Sequence, residues 1–177
     1  ALLENNQLRV VKEKRFCDSI IDSVEEEVEG TELRQALAKL MMQGKVFPGV
    51  SEKLTEQIFS YEIRQSLEKA PCMPIAASKW LEDRLEQLGV EHYEDVEYLN
   101  EDDLYFNEIE SWEVEKIIQC YPRQLKLSDL EMTVHYQFSK RTVVVEKVSG
   151  KRKEDPKRWE LPKWQGWKVK FKKASRI

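Results

Sequence analysis

Glycine is scarce in this sequence. Six glycines serve 177 residues, and no spacing among them makes a phosphate-cradling loop or a dinucleotide fingerprint. A Gly-x-Ser-x-Gly nucleophile elbow is also missing. The only histidines are His92 and His135, which leaves little for metal sites or histidine-based triads. His92 stands among Glu91, Glu94 and Asp95 and reads as a surface imidazole. His135 falls on the polar side of a strand pattern and reads the same way. Cys17, Cys72 and Cys120 are odd in number and dispersed. They make no disulfide framework, lack close zinc-ligand partners, and fit a reducing cytosol. No apolar run approaches the roughly 20 residues of a membrane span, and no leader pattern opens the chain. The expectation is a cytoplasmic chain with no membrane contact, no cofactor and no enzymatic activity of its own.

Charge is what the sequence has in quantity. The 29 basic and 33 acidic residues sum to a mild net −4, which taken whole argues against a nucleic-acid binder. Split after Cys120, the balance changes. Residues 1–120 hold 13 Lys/Arg against 27 Asp/Glu, a net −14, and residues 121–177 hold 16 against 6, a net +10. Such asymmetry suggests an electrostatic division of labour.

Hydrophobic periodicity changes at nearly the same place. Residues 8–16 read weakly as a strand or lead-in. Over residues 18–28, Ile20, Ile21, Val24 and Val28 fall at helical spacing, with the acids 25–27 on the far side. A second helix follows, with Thr31 as N-cap, an apolar stripe of Leu33, Ala36, Leu37, Leu40 and Met41, and Gly44 at its C-terminus. A third starts at Ser51 and stops by Pro71. A fourth opens at Ser78, carries Trp80, Leu81, Leu85 and Leu88, and ends at Gly89. The acid-dense stretch 93–107 suits short helices. Ser111 opens the last one, with Trp112, Val114, Ile117, Ile118 and Tyr121 before Pro122.

Beyond Pro122 the period becomes two. Met132, Val134, Tyr136 and Phe138 alternate with Glu131, Thr133, His135 and Gln137, as a half-buried strand requires. Residues 139–141 make a turn into the β-branched run 142–145, so a hairpin is expected. Trp167, Val169 and Phe171 alternate with Lys168, Lys170 and Lys172 as a third strand. The expected architecture is α+β, an acidic helical body (1–121) followed by a small, basic antiparallel β module (122–177).

The basic end carries the strongest functional signal. From residue 140 onward there are 14 Lys/Arg against four acids. The candidate nucleic-acid contacts are Lys140, Arg141, Lys151, Arg152, Lys153, Lys157, Arg158, Trp159, Lys163, Trp164, Lys168, Lys170, Lys172 and Lys173. Cations gather phosphate by Coulomb attraction and counterion release, and indole faces stack on unpaired bases. The regular alternation of Trp167, Val169 and Phe171 favours a core position for Trp167. Trp159 and Trp164 stand open between core and contact. Among the acids, Glu101, Asp102, Asp103, Glu108 and Glu110 match no calcium loop. They read as a solvated face, with a divalent-metal enzyme as the remote alternative.

Continuous features from Trp80 to Phe138 resemble a known order. A Trp80-Leu81 helix leads to Leu88-Gly89-Val90 and an acidic stretch at 95–104. Ser111-Trp112-Glu113 then opens a helix, followed by Tyr121-Pro122, Leu125-Lys126-Leu127 and a strand bearing Tyr136. This resembles the C-terminal accessory region of bacterial DEAH-box ATP-dependent helicases of the HrpA/HrpB type, over about a third of the chain. Ser128-Asp129 stands where that pattern has a glycine turn, and the Trp-rich basic end has no counterpart there. The resemblance implies the tail of a longer helicase, which agrees with a first residue that is Ala1 rather than Met. ATP binding would belong to the parent protein upstream, the helicase core would be a partner in cis, and the accessory role would be contact with RNA or single-stranded nucleic acid. The alternative is a protein–protein interaction or scaffold module whose acidic and basic faces mate.

Overall fold

In the computed structural model, residues 2–4, 7–16, 19–70 and 73–172 are described. Asp18, Cys17, Pro71, Cys72 and Lys173 lie outside the described residues, as do the side chains of Ile21 and Val24. The chain folds as two compact units. One comprises residues 1–55 and 75–106, the other residues 56–74 and 107–177. The division therefore falls elsewhere than the sequence break at 121/122. Helix α2 (Pro48–Leu67) serves both units, and the last helix belongs with the C-terminal sheet.

The first unit opens on strands, not on a helix. β1 (Leu2–Glu4), β2 (Gln7–Phe16) and β3 (Ser19–Glu27) form an antiparallel sheet in that order. The helix expected over 18–28 is thus a strand. Ile20, Ile21 and Val24 are β-branched and weak helix formers. A partner strand rich in valine precedes them, and its register sets Arg9 against Glu27 and Lys14 against Asp22. Pairing positions of opposite sign favour the ladder over a short apolar stripe of helical period.

Helix α1 (Gly30–Met42) and α3 (Ala77–Gln87) pack against each other and bury Leu33, Leu37, Met41, Leu81 and Leu85. Both end in the same way. Gly44 (φ 68°) and Gly89 (φ 76°) take the left-handed conformation. The following amides, of Lys45 and Val90, each reach back 3.0 Å to Leu40 and Leu85, closing the two helices with Schellman turns. Starts are less regular. Glu29, not Thr31, precedes α1, and the Thr31 hydroxyl instead accepts from Arg34 at 3.1 Å. Pro48 begins α2, as suits a residue without an N–H at the first helical position. The acidic stretch winds into two 3-10 turns, Tyr93–Tyr98 and Glu101–Leu104. Asp95 there accepts the amides of Glu91 and His92 at 2.9 and 2.8 Å. These bonds hold its carboxyl below the usual range.

The second unit is built on a four-stranded sheet. Helix α4 (Ser111–Cys120) leads into β4 (Gln124–Leu127), β5 (Leu130–Gln137), β6 (Thr142–Gly150) and β7 (Lys168–Lys172), which lie side by side in that order. β4, β5 and β6 are antiparallel neighbours, but β7 runs parallel to β6. The antiparallel module expected from the sequence is therefore a mixed sheet. The cause is the stretch 151–167, long enough for a crossover. It carries the chain back to the start of β6, where the Lys168 amide meets the Arg141 carbonyl at 2.9 Å. One face of the sheet, with Met132, Val134, Val143 and Val145, packs with Phe59 and Ile63 of α2, Ile117 of α4, and Leu161, Trp164 and Trp167 of the crossover. Among the described residues, no helix is long and apolar enough to cross a membrane.

Candidate nucleic-acid interface

Strand alternation sorts the basic residues of the second unit. On β7, Val169 and Phe171 turn toward the core and Lys168, Lys170 and Lys172 are exposed on the opposite side. In register they lie beside Thr142, Val144 and Glu146 of β6. Lys172 is paired, its ammonium 2.8 Å from the Glu146 carboxylate, which His135 also approaches at 3.3 Å. The Lys172 hydrogen bond is the main reason that the Glu146 carboxyl titrates below its ordinary range. Lys168 and Lys170 have no acid partner among the described residues.

The crossover divides its cations by the same criterion. Arg152 is committed to the fold. Its guanidinium grips Glu160 in a fork, at 2.9 and 3.2 Å, and lies 3.8 Å from Asp129. The Glu160 carboxyl is held down by Arg152 and, secondarily, by the Lys157 amide. Arg158 donates to the Pro162 carbonyl at 2.6 Å and sits over the Trp164 ring, 5.9 Å from its centroid. Lys151, Lys153, Lys157 and Lys163 are exposed and lack an acid partner among the described residues. Lys140 is exposed at the end of a 3-10 turn. Arg141, next to it, is half-buried in the left-handed region (φ 43°) and donates to the Ser66 carbonyl.

The tryptophans separate more sharply. Trp164 is 3% exposed and Trp167 7%, so both indoles are core groups and neither offers a face to a base. The Trp164 N–H donates to the Tyr136 hydroxyl at 3.1 Å, and that hydroxyl donates to the Pro122 carbonyl at 2.8 Å. Burial pushes the Tyr136 phenol far up. Trp159, at 79% exposure, is the candidate indole open to solvent.

Two further groups in this unit were not signalled by the basic tail. Lys126 on β4 projects on the same face as Glu131, 3.8 Å away. Trp112 opens α4 and is 64% exposed. The sequence grouped it with Val114, Ile117, Ile118 and Tyr121, yet Val114 is buried and the other three half-buried, whereas Trp112 falls at the i, i+4 and i+7 spacing of Lys116 and Gln119. Among the described residues, no three His, Cys, Asp or Glu side chains are grouped to hold a metal ion. Comparison with protein-family models, with curated proteins and with solved structures gave no match.

Proposed function

We propose that the second unit is a non-catalytic module that contacts single-stranded nucleic acid, RNA foremost, through its phosphates. One observation carries this reading: Lys151, Lys153, Lys157, Lys163, Lys168 and Lys170 are all exposed on one unit and none is neutralised by a described acid. Unpaired surface cations keep their full attraction for phosphate, whereas paired ones must first break a bond. With Trp159 the exposed indole of the crossover, base stacking there contributes little and sequence preference is slight. The resemblance to the helicase accessory region extends the proposal: the module would present the strand to an ATP-dependent helicase core in cis, in the cytoplasm.

A fluorescence titration with single-stranded RNA over a salt series tests the reading. Each phosphate neutralised contributes about 0.7 to the slope of log K against log salt for single strands. Replacing Lys151, Lys153 and Lys157 together by Ala lowers that slope by about 2 and weakens binding alike for all sequences. Binding that is absent or indifferent to salt sinks the proposal and leaves the interaction module with mated charges.

A further inference from the structure

Beside the basic surface, the second unit has two adjoining clefts that share a wall. The first, about 340 Å³, is lined by Leu67 at the end of α2 and by Trp112, Lys116, Ile117, Cys120 and Tyr121 around α4. The second, about 400 Å³, lies across Cys120 and Tyr121 and is bounded by Lys163 and Trp164 of the crossover. Both volumes fall in the range of small-ligand sites, about 300–1,000 Å³.

The lining has a consistent chemistry. Trp112 and Leu67 are 64% and 40% exposed and stand together on the wall of the first cleft. Tyr121 is fixed from behind by ring contacts to Tyr136 and Trp167, with centroids 6.2 and 6.4 Å apart. Lys116 lines the first cleft and Lys163 the second, and neither has an acid partner among the described residues. The one carboxylate in the first cleft, Glu113, is already bound by Arg64 at 3.0 Å. An anion entering there meets the Lys116 ammonium and a neutralised acid. An aromatic wall with cations on its rim suits a flat ring carried on a phosphate.

We propose that the α4 clefts seat unpaired nucleobases, with Trp112 as the stacking group and Lys116 and Lys163 as phosphate contacts on either side of Tyr121. This rests on the nucleic-acid reading above and adds a stacking group in the first turn of α4, since Trp164 and Trp167 of the crossover are buried and leave Trp159 exposed there. Cys120, exposed on the wall common to both clefts, supplies a built-in reporter.

The test uses the full chain and a ten-nucleotide oligouridylate. Bound strand slows alkylation of Cys120 by N-ethylmaleimide, read peptide by peptide in a mass spectrometer so that the other cysteines do not interfere. Trp112→Leu weakens binding about tenfold, within the range of one lost stack, and leaves the salt slope unchanged. Lys116→Ala lowers the slope instead. The surface position of Trp112 makes loss of folding a minor concern, and the far-UV spectrum of the variant checks it. If the oligonucleotide binds with the expected salt dependence but Cys120 reacts at its free rate and Trp112→Leu binds normally, the cleft is overturned while the phosphate reading stands. Protection of Cys120 by an apolar helical peptide and not by the strand also overturns it. No binding at low salt overturns both.

Discussion

Tyr136 joins three parts of the second unit at one oxygen. Its hydroxyl takes the Trp164 N–H and gives its own proton to Pro122, tying β5 to the crossover and to the loop after α4. Phenylalanine at this position keeps the ring and removes both bonds, leaving the N–H of the buried Trp164 indole without that partner. Tyr136→Phe is therefore expected to cost about 1–3 kcal/mol in urea unfolding, with an unchanged far-UV spectrum. Glu160 is tied as closely, through Arg152 and the Lys157 amide. Its carboxyl is depressed in the folded state, so the unfolded chain takes up a proton first as the pH falls. The stabilisation is complete above the ordinary glutamate value of about 4.3 and is lost as the pH drops through the folded value. Glu160→Gln should flatten the acid limb of a stability–pH curve below that point. An unchanged limb would show that the fork adds nothing to folding.

At the scale of elements, Gly150 decides where β6 ends. Its φ is +124°, and a β-carbon placed there would stand 2.4 Å from the Asp129 carbonyl oxygen and 2.8 Å from the Leu130 α-carbon. Those are backbone atoms that cannot swing aside. Gly150→Ala is expected to cost about 2–3 kcal/mol, seen as a lowered Tm, with early loss of amide protection along β5 and β6. Such requirements were partly legible in the sequence. Period-two alternation marked β5 and β7, and Gly44 and Gly89 marked two helix ends, because both signals depend on local geometry alone. The direction of β7 was not legible, since alternation is the same in parallel and antiparallel strands and only the route of 151–167 distinguishes them. The β2–β3 pair was lost for a related reason. Ile20, Ile21, Val24 and Val28 satisfy a helical spacing by themselves, and only the partner strand shows that pairing prevails. In the candidate site, charge was readable but commitment was not. Arg152 and Lys153 are adjacent and look equivalent, yet one is locked to Glu160 and the other has no acid partner among the described residues.

For the whole molecule, the division into two units predicts two responses to core damage. Leu85 is fully buried in the first unit and Val143 in the second. Leu85→Ala is expected to cost about 2–5 kcal/mol, with hydrogen exchange accelerated most in α1 and α3. Val143→Ala should act chiefly on the sheet. A uniform acceleration over both units in either variant would indicate a single cooperative block. Charge follows the same partition only in part: α4 and the end of α2 are acidic or mixed by sequence but belong with the basic sheet.

Ile63 and Trp167 share one core although most of the chain separates them, and this fixes a schedule for synthesis. The first unit has all of its residues once Phe106 has left the ribosome. The second cannot seal Phe59 and Ile63 until Trp164, Trp167 and the β7 strand arrive, roughly 100 residues after Ile63. At about 5–20 residues per second that interval lasts roughly 5–20 s. Throughout it an apolar helix face and an unfinished sheet edge stand open to other nascent chains. The late tryptophans, withdrawn from any role in stacking, thus act as the closing step that ends the chain's most vulnerable period.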